Sequence, residues 1–369
     1  MNQSDLVIVG LSGGVDSAVS AWLLREQGYQ VEGLFMKNWE DDDTETQCTA
    51  EADFADARQV AETLGIPLHR ANFAAAYREE VFEHCLGEFR AGRTPNPDIL
   101  CNQRIKFRAF LDHAKRLGAD HVATGHYAGI GEDDNGNKML LRAADRNKDQ
   151  TYFLYKLTQQ QLAPALFPLA GLSKPEVREI ADRVGFGNHD KPDSTGICFI
   201  GERDFQAFLK RYIDTTPGEI VSVDGEVLGE HAGLAFHTIG QRRGLNLGGR
   251  ADRPGLPWYV ADKDMAGNRL IVAQGHDHPA LMNHGLEAVD WHWIDGAGPR
   301  DEIRCTARLR HRHADQPATL TRLADQRWRL LFDAPERAVA PGQSVVVYDG
   351  ERCLGGGIIE RRLPVVEAF

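Results

Sequence analysis

At 369 residues, with 42% hydrophobic and 26% charged side chains, the chain exceeds the usual size of one core and has the composition of an ordinary soluble protein of two or three domains. No apolar run approaches the ~20 residues that span a bilayer, and Met1-Asn2-Gln3-Ser4-Asp5 leads straight into a strand without a basic signal region, so the cytosol is the expected compartment. The net charge of -12 argues against a uniformly basic nucleic-acid binder, yet residues 300–330 hold eight arginines against four acids while residues 40–56 hold eight acidic groups, so an acidic whole can carry one basic face.

In chain order, Leu6-Val7-Ile8-Val9-Gly10-Leu11 predicts a strand, Ser12-Gly13-Gly14-Val15-Asp16-Ser17 a glycine turn, and Ala18 to Gln27 a helix. Val31 to Met36 predicts a second strand, Ala52 to Leu64 a helix, Pro67 to Phe73 a third strand and Ala74 to Phe89 another helix. Asn102 to Leu117 reads as a basic helix and His121 to Gly125 as a fourth strand. Such alternation implies a doubly wound parallel sheet, whose ligands lie beyond the carboxyl ends of the strands. Gly10 to Ser17, Met36 and Gly125 are thereby placed around one crevice, although Met36 reads equally well as core. Asn135-Gly136 predicts a hairpin tip within Glu132 to Asn137, and helical patterning returns at Gln159 to Leu166 and Lys174 to Val184.

Around residue 205 the texture changes. After Phe205 to Tyr212, short segments such as Gly218 to Val223 and Ala235 to Ile239 are punctuated by Gly and Pro, which predicts a small mixed α+β domain to about residue 275. From 283 onward, Cys305 to Arg310, Ala318 to Leu323, Trp328 to Phe332 and Ser344 to Tyr348 predict an all-β barrel or sandwich. The expected fold is α/β overall, divided into 1–204, 205–275 and 283–369.

The first turn carries the clearest chemistry. Backbone amides at Gly13 and Gly14 converge on an anion, the following helix adds the positive end of its dipole, and Ser12 and Ser17 offer hydroxyls. Asp16 repels bare phosphate and so implies a bound Mg2+ or a structural hydrogen bond. No Lys follows the last glycine as a Walker A loop requires, and Gly10, Gly13 and Gly14 have the wrong spacing for a dinucleotide fingerprint. The segment resembles the pyrophosphate loop of ATP-alpha-hydrolases. That likeness implies cleavage of ATP to AMP and pyrophosphate to turn an oxygen into a leaving group, with Gly10, Leu11, Ser12, Gly13, Gly14, Val15, Asp16, Ser17, Met36 and Gly125 binding ATP.

Two cysteines stand in unusual settings. Thr94-Pro95-Asn96-Pro97-Asp98-Ile99-Leu100-Cys101-Asn102 reads as a proline-stiffened loop ending at the start of the basic helix, where the dipole, Arg104 and Lys106 favour thiolate. Cys198 lies in Asp193-Ser194-Thr195-Gly196-Ile197-Cys198-Phe199-Ile200, also a loop ahead of a helix. Either cysteine alone is more readily a small core residue, whereas two of them downstream of an ATP-activating loop read as catalytic. The six cysteines form no C-x-x-C pair, which argues against a structural zinc or a disulfide scaffold, and Cys48, Cys85, Cys305 and Cys353 show no legible role.

Further segments sharpen the reading: Ala123-Thr124-Gly125-His126-Tyr127, Lys148-Asp149-Gln150-Thr151-Tyr152-Phe153-Leu154, His237-Thr238-Ile239-Gly240-Gln241-Arg242-Arg243-Gly244 and Pro341-Gly342-Gln343. With the pyrophosphate loop, Asn96-Pro97-Asp98, Cys101-Asn102 and Gly196 to Ile200, they resemble the bacterial tRNA-specific 2-thiouridylases in family order over nearly the whole chain. The resemblance implies an ATP-pyrophosphatase domain, a small central domain and a C-terminal β-barrel that binds tRNA. It implies ATP-dependent adenylation of the C2 oxygen of the wobble uridine, with Cys198 carrying a persulfide received from a sulfur-relay protein. Cys101 is then the other catalytic thiol and pairs transiently with Cys198 in a disulfide. Asn96, Pro97 and Asp98 are expected to contact the extruded base, and His126, Lys148, Asp149, Gln150, Arg310, His311 and Gln343 the tRNA. A Tyr is usual in the family where His311 stands, and an imidazole there still stacks on a base or meets a phosphate. A monomer is expected for an enzyme that wraps one tRNA. An ATP-dependent ligase or amidotransferase would need an ammonia source, for which no N-terminal Cys or glutaminase segment is visible, and a plain RNA-binding protein leaves the pyrophosphate loop unexplained.

Overall fold

The computed structural model describes residues 5–40, 49–192, 205–247, 255–299 and 301–365. Strand β1 (Leu6–Gly10) has Val7, Ile8 and Val9 fully buried, as its unbroken apolar run requires of a central strand covered on both faces. It is followed by helix α1 (Val15–Glu26), β2 (Gln30–Lys37), α2 (Thr49–Leu64), β3 (Leu68–Asn72) and β4 (His121–Ala123). Ile8 packs on one face with Leu34 and Phe110, while Val7 and Val9 pack on the other with Val19 of α1 and Ala57 and Val60 of α2. This is the alternation of a pleated strand between two helical layers.

Two helical expectations shift. The Gln159–Leu166 pattern is helical only over Gln159–Leu162; Pro164 stops the helix, its carbonyl accepts Val122 N at 2.9 Å, and Ala165–Leu166 becomes a strand, β7, beside β4. The helix expected from Asn102 begins five residues earlier, at Pro97. Asn96 is its N-cap, with Oδ1 accepting from Asp98 N at 3.1 Å, and Pro97 occupies the first turn, where its missing N–H costs nothing. The helical run 97–116 passes through a π-helical stretch, Cys101–Ala109.

The hairpin β5 (Gly129–Glu132) and β6 (Lys138–Leu141), joined by the expected turn, leaves the parallel sheet of order β3-β2-β1-β4-β7. The central sheet contains β8 (Gly218–Ser222), β9 (Val227–His231), β10 (Trp258–Asp264) and β11 (Arg269–Gln274), in the order β10-β11-β8-β9 around Ile220, Val260, Leu270 and Val272. Six further strands follow: β12 (Met282–Trp293), β13 (Glu302–Arg308), β14 (Gln316–Arg322), β15 (Trp328–Arg337), β16 (Ser344–Asp349) and β17 (Arg352–Pro364). Pairing of β12 with both β15 and β17 closes them, so the C-terminal element is a barrel and not a sandwich. Hairpin β5–β6 extends this sheet through Leu140↔Cys353 and Leu141↔Arg352.

Behind that seam lies a charged cluster. Asp149, 1% exposed, accepts from Arg308 Nη1 at 3.0 Å and Arg142 Nη1 at 3.4 Å, while Asp315 accepts from both arginines and Thr151 Oγ1 donates to Asp149. The Arg142 guanidinium stacks over the Tyr348 ring at 3.6 Å. Two arginines thus face two aspartates, and each charge is met where the parallel-sheet domain joins the barrel. No helix among the described residues is long and apolar enough to cross a membrane.

Candidate active site

β1 lies between β2 and β4, so the chain leaves it in opposite directions on its two sides. This is the switch point at which an open parallel sheet forms a crevice. The loop 11–17 sits there. Ser17 Oγ donates to Gly14 O at 2.9 Å and accepts from Ser12 N at 3.2 Å, and the two serine hydroxyls are 3.3 Å apart. These bonds tie the loop to the first turn of α1. Asn188 Nδ2 donates to Gly13 O at 3.0 Å from the opposite side.

Asp16 has protein partners. Lys174 Nζ donates to its Oδ1 and Oδ2 at 2.8 and 2.9 Å, and Tyr127 Oη to Oδ1 at 2.9 Å. Of the two readings of this carboxylate, the structure supplies the structural one, and it also brings a buried ammonium to the loop. Sequence reasoning missed Lys174 and gave Tyr127 no role. A signal for Lys174 was present: the Ser173/Glu176 capping box sets the start of the Lys174–Val184 helix, so Lys174 occupies its first turn. What local sequence does not carry is that this turn abuts α1.

Gly125, just after β4, belongs to the site for a steric reason. A Cβ there would lie 2.8 Å from both Asp16 C and Ser17 N. Gly125→Ala is therefore expected to push the loop off its amide geometry and weaken ATP binding by about tenfold or more, at roughly 1.4 kcal/mol per tenfold. Equilibrium titration with a fluorescent ATP analogue reads this, and unchanged affinity would refute the close-approach argument. Met36 is buried, with Cε 3.3 Å from the position of a Cβ on Gly10, and Phe110 Cε1 lies 3.7 Å from the same point. The helical run that carries Cys101 thus reaches, through Phe110, the Gly10 end of β1 from which the loop departs.

Cys101 itself is 0% exposed and joins the apolar cluster that includes Leu100, Ile105 and Phe110. It lies one turn inside the helix rather than in a loop before it. Arg104, one turn further on, donates Nη1 to Glu80 O. Asn96, Pro97 and Asp98 form the cap and first turn of this run and are partly exposed. They are held from the barrel: Gln343 Nε2 donates to Thr94 O at 2.7 Å, and Thr94 N donates to Pro341 O at 3.0 Å.

The other expected contacts fall into two groups. Lys148 and Gln150 are half-buried, with Gln150 Oε1 accepting Tyr127 N at 2.9 Å, and His311 Nε2 bonds Asp149 O at 3.0 Å while its ring lies 4.6 Å from Phe153. Asp149, by contrast, spends its side chain inside the ion cluster. Arg310 Nη2 donates to Ile239 O and Ala338 O, both at 3.0 Å, joining the central domain to the barrel. His126 is buried against Phe107 and Phe167, with Nδ1 2.8 Å from Thr124 Oγ1; burial, and secondarily Lys106, hold its imidazole well below the usual range and neutral. Cys198 and its segment, and Cys48, lie outside the described residues.

A glycine–serine loop at the switch point of a parallel sheet, in a chain that continues into a small central sheet and a closed barrel, defines an α/β protein with a polyanion-binding crevice. The family profile described as tRNA methyl transferase HUP domain matches residues 5–202. A tRNA methyl transferase PRC-barrel domain profile matches 206–274 and an aminomethyltransferase beta-barrel domain profile matches 283–359. The tRNA-specific 2-thiouridylase MnmA of Alkalilimnicola ehrlichii is 62% identical over 366 residues, covering 99% of this chain and 100% of the relative. The protein of that name from Salmonella typhimurium is 59% identical over 360 residues, covering 97% and 98%. Among solved structures, a 4-thiouridine synthetase in complex with RNA and ATP aligns with a TM-score of 0.35 at 19% identity, over 56% of this chain and 49% of that one. NMN synthetase from Francisella tularensis aligns with a TM-score of 0.34 at 18% identity, over 58% and 80%. The chain belongs to the tRNA-specific 2-thiouridylase family.

Proposed function

We propose that this chain is a cytoplasmic, monomeric, ATP-dependent tRNA 2-thiouridylase that exchanges the C2 oxygen of the wobble uridine for sulfur. The observation that carries this reading is one helical run that is capped by Asn96, holds Cys101 and meets, through Phe110, the Gly10 end of β1 from which the pyrophosphate loop leaves.

ATP enters as its Mg2+ complex. The amides of 13–15, the Ser12 and Ser17 hydroxyls and the α1 dipole hold its phosphates, while Lys174 balances Asp16 at the loop. The target base must leave its stack to reach the crevice, where Asn96, Pro97 and Asp98 receive it. The C2 oxygen attacks the α-phosphorus and expels pyrophosphate, so AMP becomes the group that C2 later loses. The terminal sulfur of a Cys198 persulfide, supplied by a sulfur-relay protein, then attacks C2 and displaces AMP. The Cys101 thiolate attacks the Cys198 sulfur, releases thiouridine and leaves a Cys101–Cys198 disulfide, which an external dithiol reduces. Burial of Cys101 means that its shell opens before this step.

Incubation with ATP, unmodified tRNA and a persulfide or sulfide source, followed by mass spectrometry of the nucleosides, is expected to yield 2-thiouridine with one AMP and one pyrophosphate per turnover. Absence of thiolated uridine would overturn the assignment.

A further inference from the structure

The segment His237 to Gly244 has no part in the chemistry above, yet it is fixed from three sides. Thr238 Oγ1 lies 3.2 Å from Thr94 Oγ1, two residues before the Asn96 cap. Gln241 Oε1 accepts Thr238 N at 2.9 Å, and Gln241 Nε2 donates to Arg243 O at 2.8 Å, so one side chain closes the turn on itself. Gly240 N and Gln241 O pair with Val260 O and N at 2.8 and 2.9 Å, anchoring the turn to β10. The barrel supplies the third hold: Arg310 donates to Ile239 O, and Gly240, at φ +84°, comes so close that a Cβ would lie 2.4 Å from Ala338 Cβ.

On this immobilised turn stand Arg242 and Arg243, both exposed. Among the described residues neither guanidinium has a carboxylate, carbonyl or aromatic ring as partner. They stand next to each other in the chain, so two positive charges lie side by side. Elsewhere Arg142 and Arg308 face Asp149 and Asp315, Arg304 faces Asp333, and Arg329 and Arg361 share Glu287. A rigid backbone lowers the entropy lost on binding, and adjacent guanidiniums present planar forks that match phosphate oxygens. Four residues of chain place Arg242 within about 14 Å of Thr238 even if extended, and closer in this turn.

We propose that Arg242 and Arg243 form a phosphate clamp that grips the RNA strand flanking the nucleotide presented at Asn96 to Asp98. The inference rests on the tRNA reading above and assigns this turn the task of registering the backbone while the capped helix takes the base. The turn's contacts to Thr94 and the barrel are what set clamp and base turn at a constant separation.

The test is tRNA affinity of the full-length enzyme as a function of KCl, by filter binding with an unmodified transcript. The double variant Arg242→Ala/Arg243→Ala is expected to bind about tenfold more weakly at low salt, with the log–log salt slope reduced in magnitude by about 1.4–1.8, as for two phosphates released. Arg242→Lys/Arg243→Lys should restore most of the slope. In steady-state thiolation the loss should appear in KM for tRNA, and ATP affinity equal to that of the parent chain serves as the folding control. Unchanged tRNA affinity and slope in the alanine variant would overturn the clamp, as would a salt slope that the lysine variant does not restore. If the parent chain forms no thiouridine but the slope still falls, the catalytic reading fails and the clamp stands; the converse leaves the catalytic reading intact.

Discussion

Serine in place of Cys101 is expected to lower tRNA thiolation by at least about 10³-fold, the scale on which removal of a covalent nucleophile is felt. ATP affinity should stay near that of the parent chain, because the loop contacts arise from backbone amides, Ser12, Ser17 and Lys174 and none from sulfur. A hydroxyl set into the apolar cluster around residue 101 brings a desolvation cost of about 1–3 kcal/mol, so Cys101→Ala is the companion variant that keeps the site apolar. Both should retain ATP binding and lose thiolation, and Cys198→Ser should match them. Under the proposed chemistry the Cys101 and Cys198 variants are not additive, since each thiol acts only through the other. Single-turnover thiolation followed by nucleoside mass spectrometry decides the matter. A parent-like rate in Cys101→Ala would remove this cysteine from the mechanism.

Asp149→Ala is expected to cost about 3–5 kcal/mol of stability, because it leaves Arg142 and Arg308 buried with half of their counter-charge gone. The side chain lies at the seam where β6 joins the barrel, so the loss should loosen that junction before it melts the parallel sheet. A reporter is available: Trp291, Trp293 and Trp328 pack together in the barrel with centroids 5.2–5.6 Å apart, so denaturant titration followed by tryptophan fluorescence, in a background with Trp22, Trp39 and Trp258 replaced by Phe, tracks the barrel. Replacing charges together, as in Asp149→Leu with Arg142→Met, should cost less than the single change, since no charge in that pair is left unmatched. A midpoint shift worth under about 1 kcal/mol for Asp149→Ala would show that the cluster contributes little. His311 Nε2 bonds the backbone carbonyl of Asp149, so the chain at this residue also meets the loop that follows β13.

Local signals explain what the chain discloses before it folds. The apolar runs of β1 and β2, the glycine turn and the helical periods of α1 and α2 are each specified within about a dozen residues, and so the parallel sheet and its crevice were legible. The same locality misplaced the start of the Cys101 helix: Asn96-Pro97 reads as a stiff loop until its amide is seen capping Asp98. It also extended a helix across Pro164, where a two-residue strand needed the edge of β4 to exist. The longest barrel strands, β12 and β17, went unread because closure satisfies their backbone and tolerates irregular alternation, with register shifts at several points.

The site divides in the same way. Sequence by itself determined the anion-binding turn, the order of the elements and the pairing of an ATP loop with two candidate thiols, because these depend on residue types at short spacing. Only the tertiary structure decided that Lys174 and Tyr127 hold Asp16, that Cys101 is enclosed in the apolar cluster on one face of the parallel sheet, that Asp149 turns inward to two arginines, and that Thr94 is gripped by both Gln343 and Thr238. Each of these joins residues that lie far apart in the chain. Whether a charged or reactive side chain meets solvent or a partner is settled by which distant surface packs against it, and no local pattern encodes that surface.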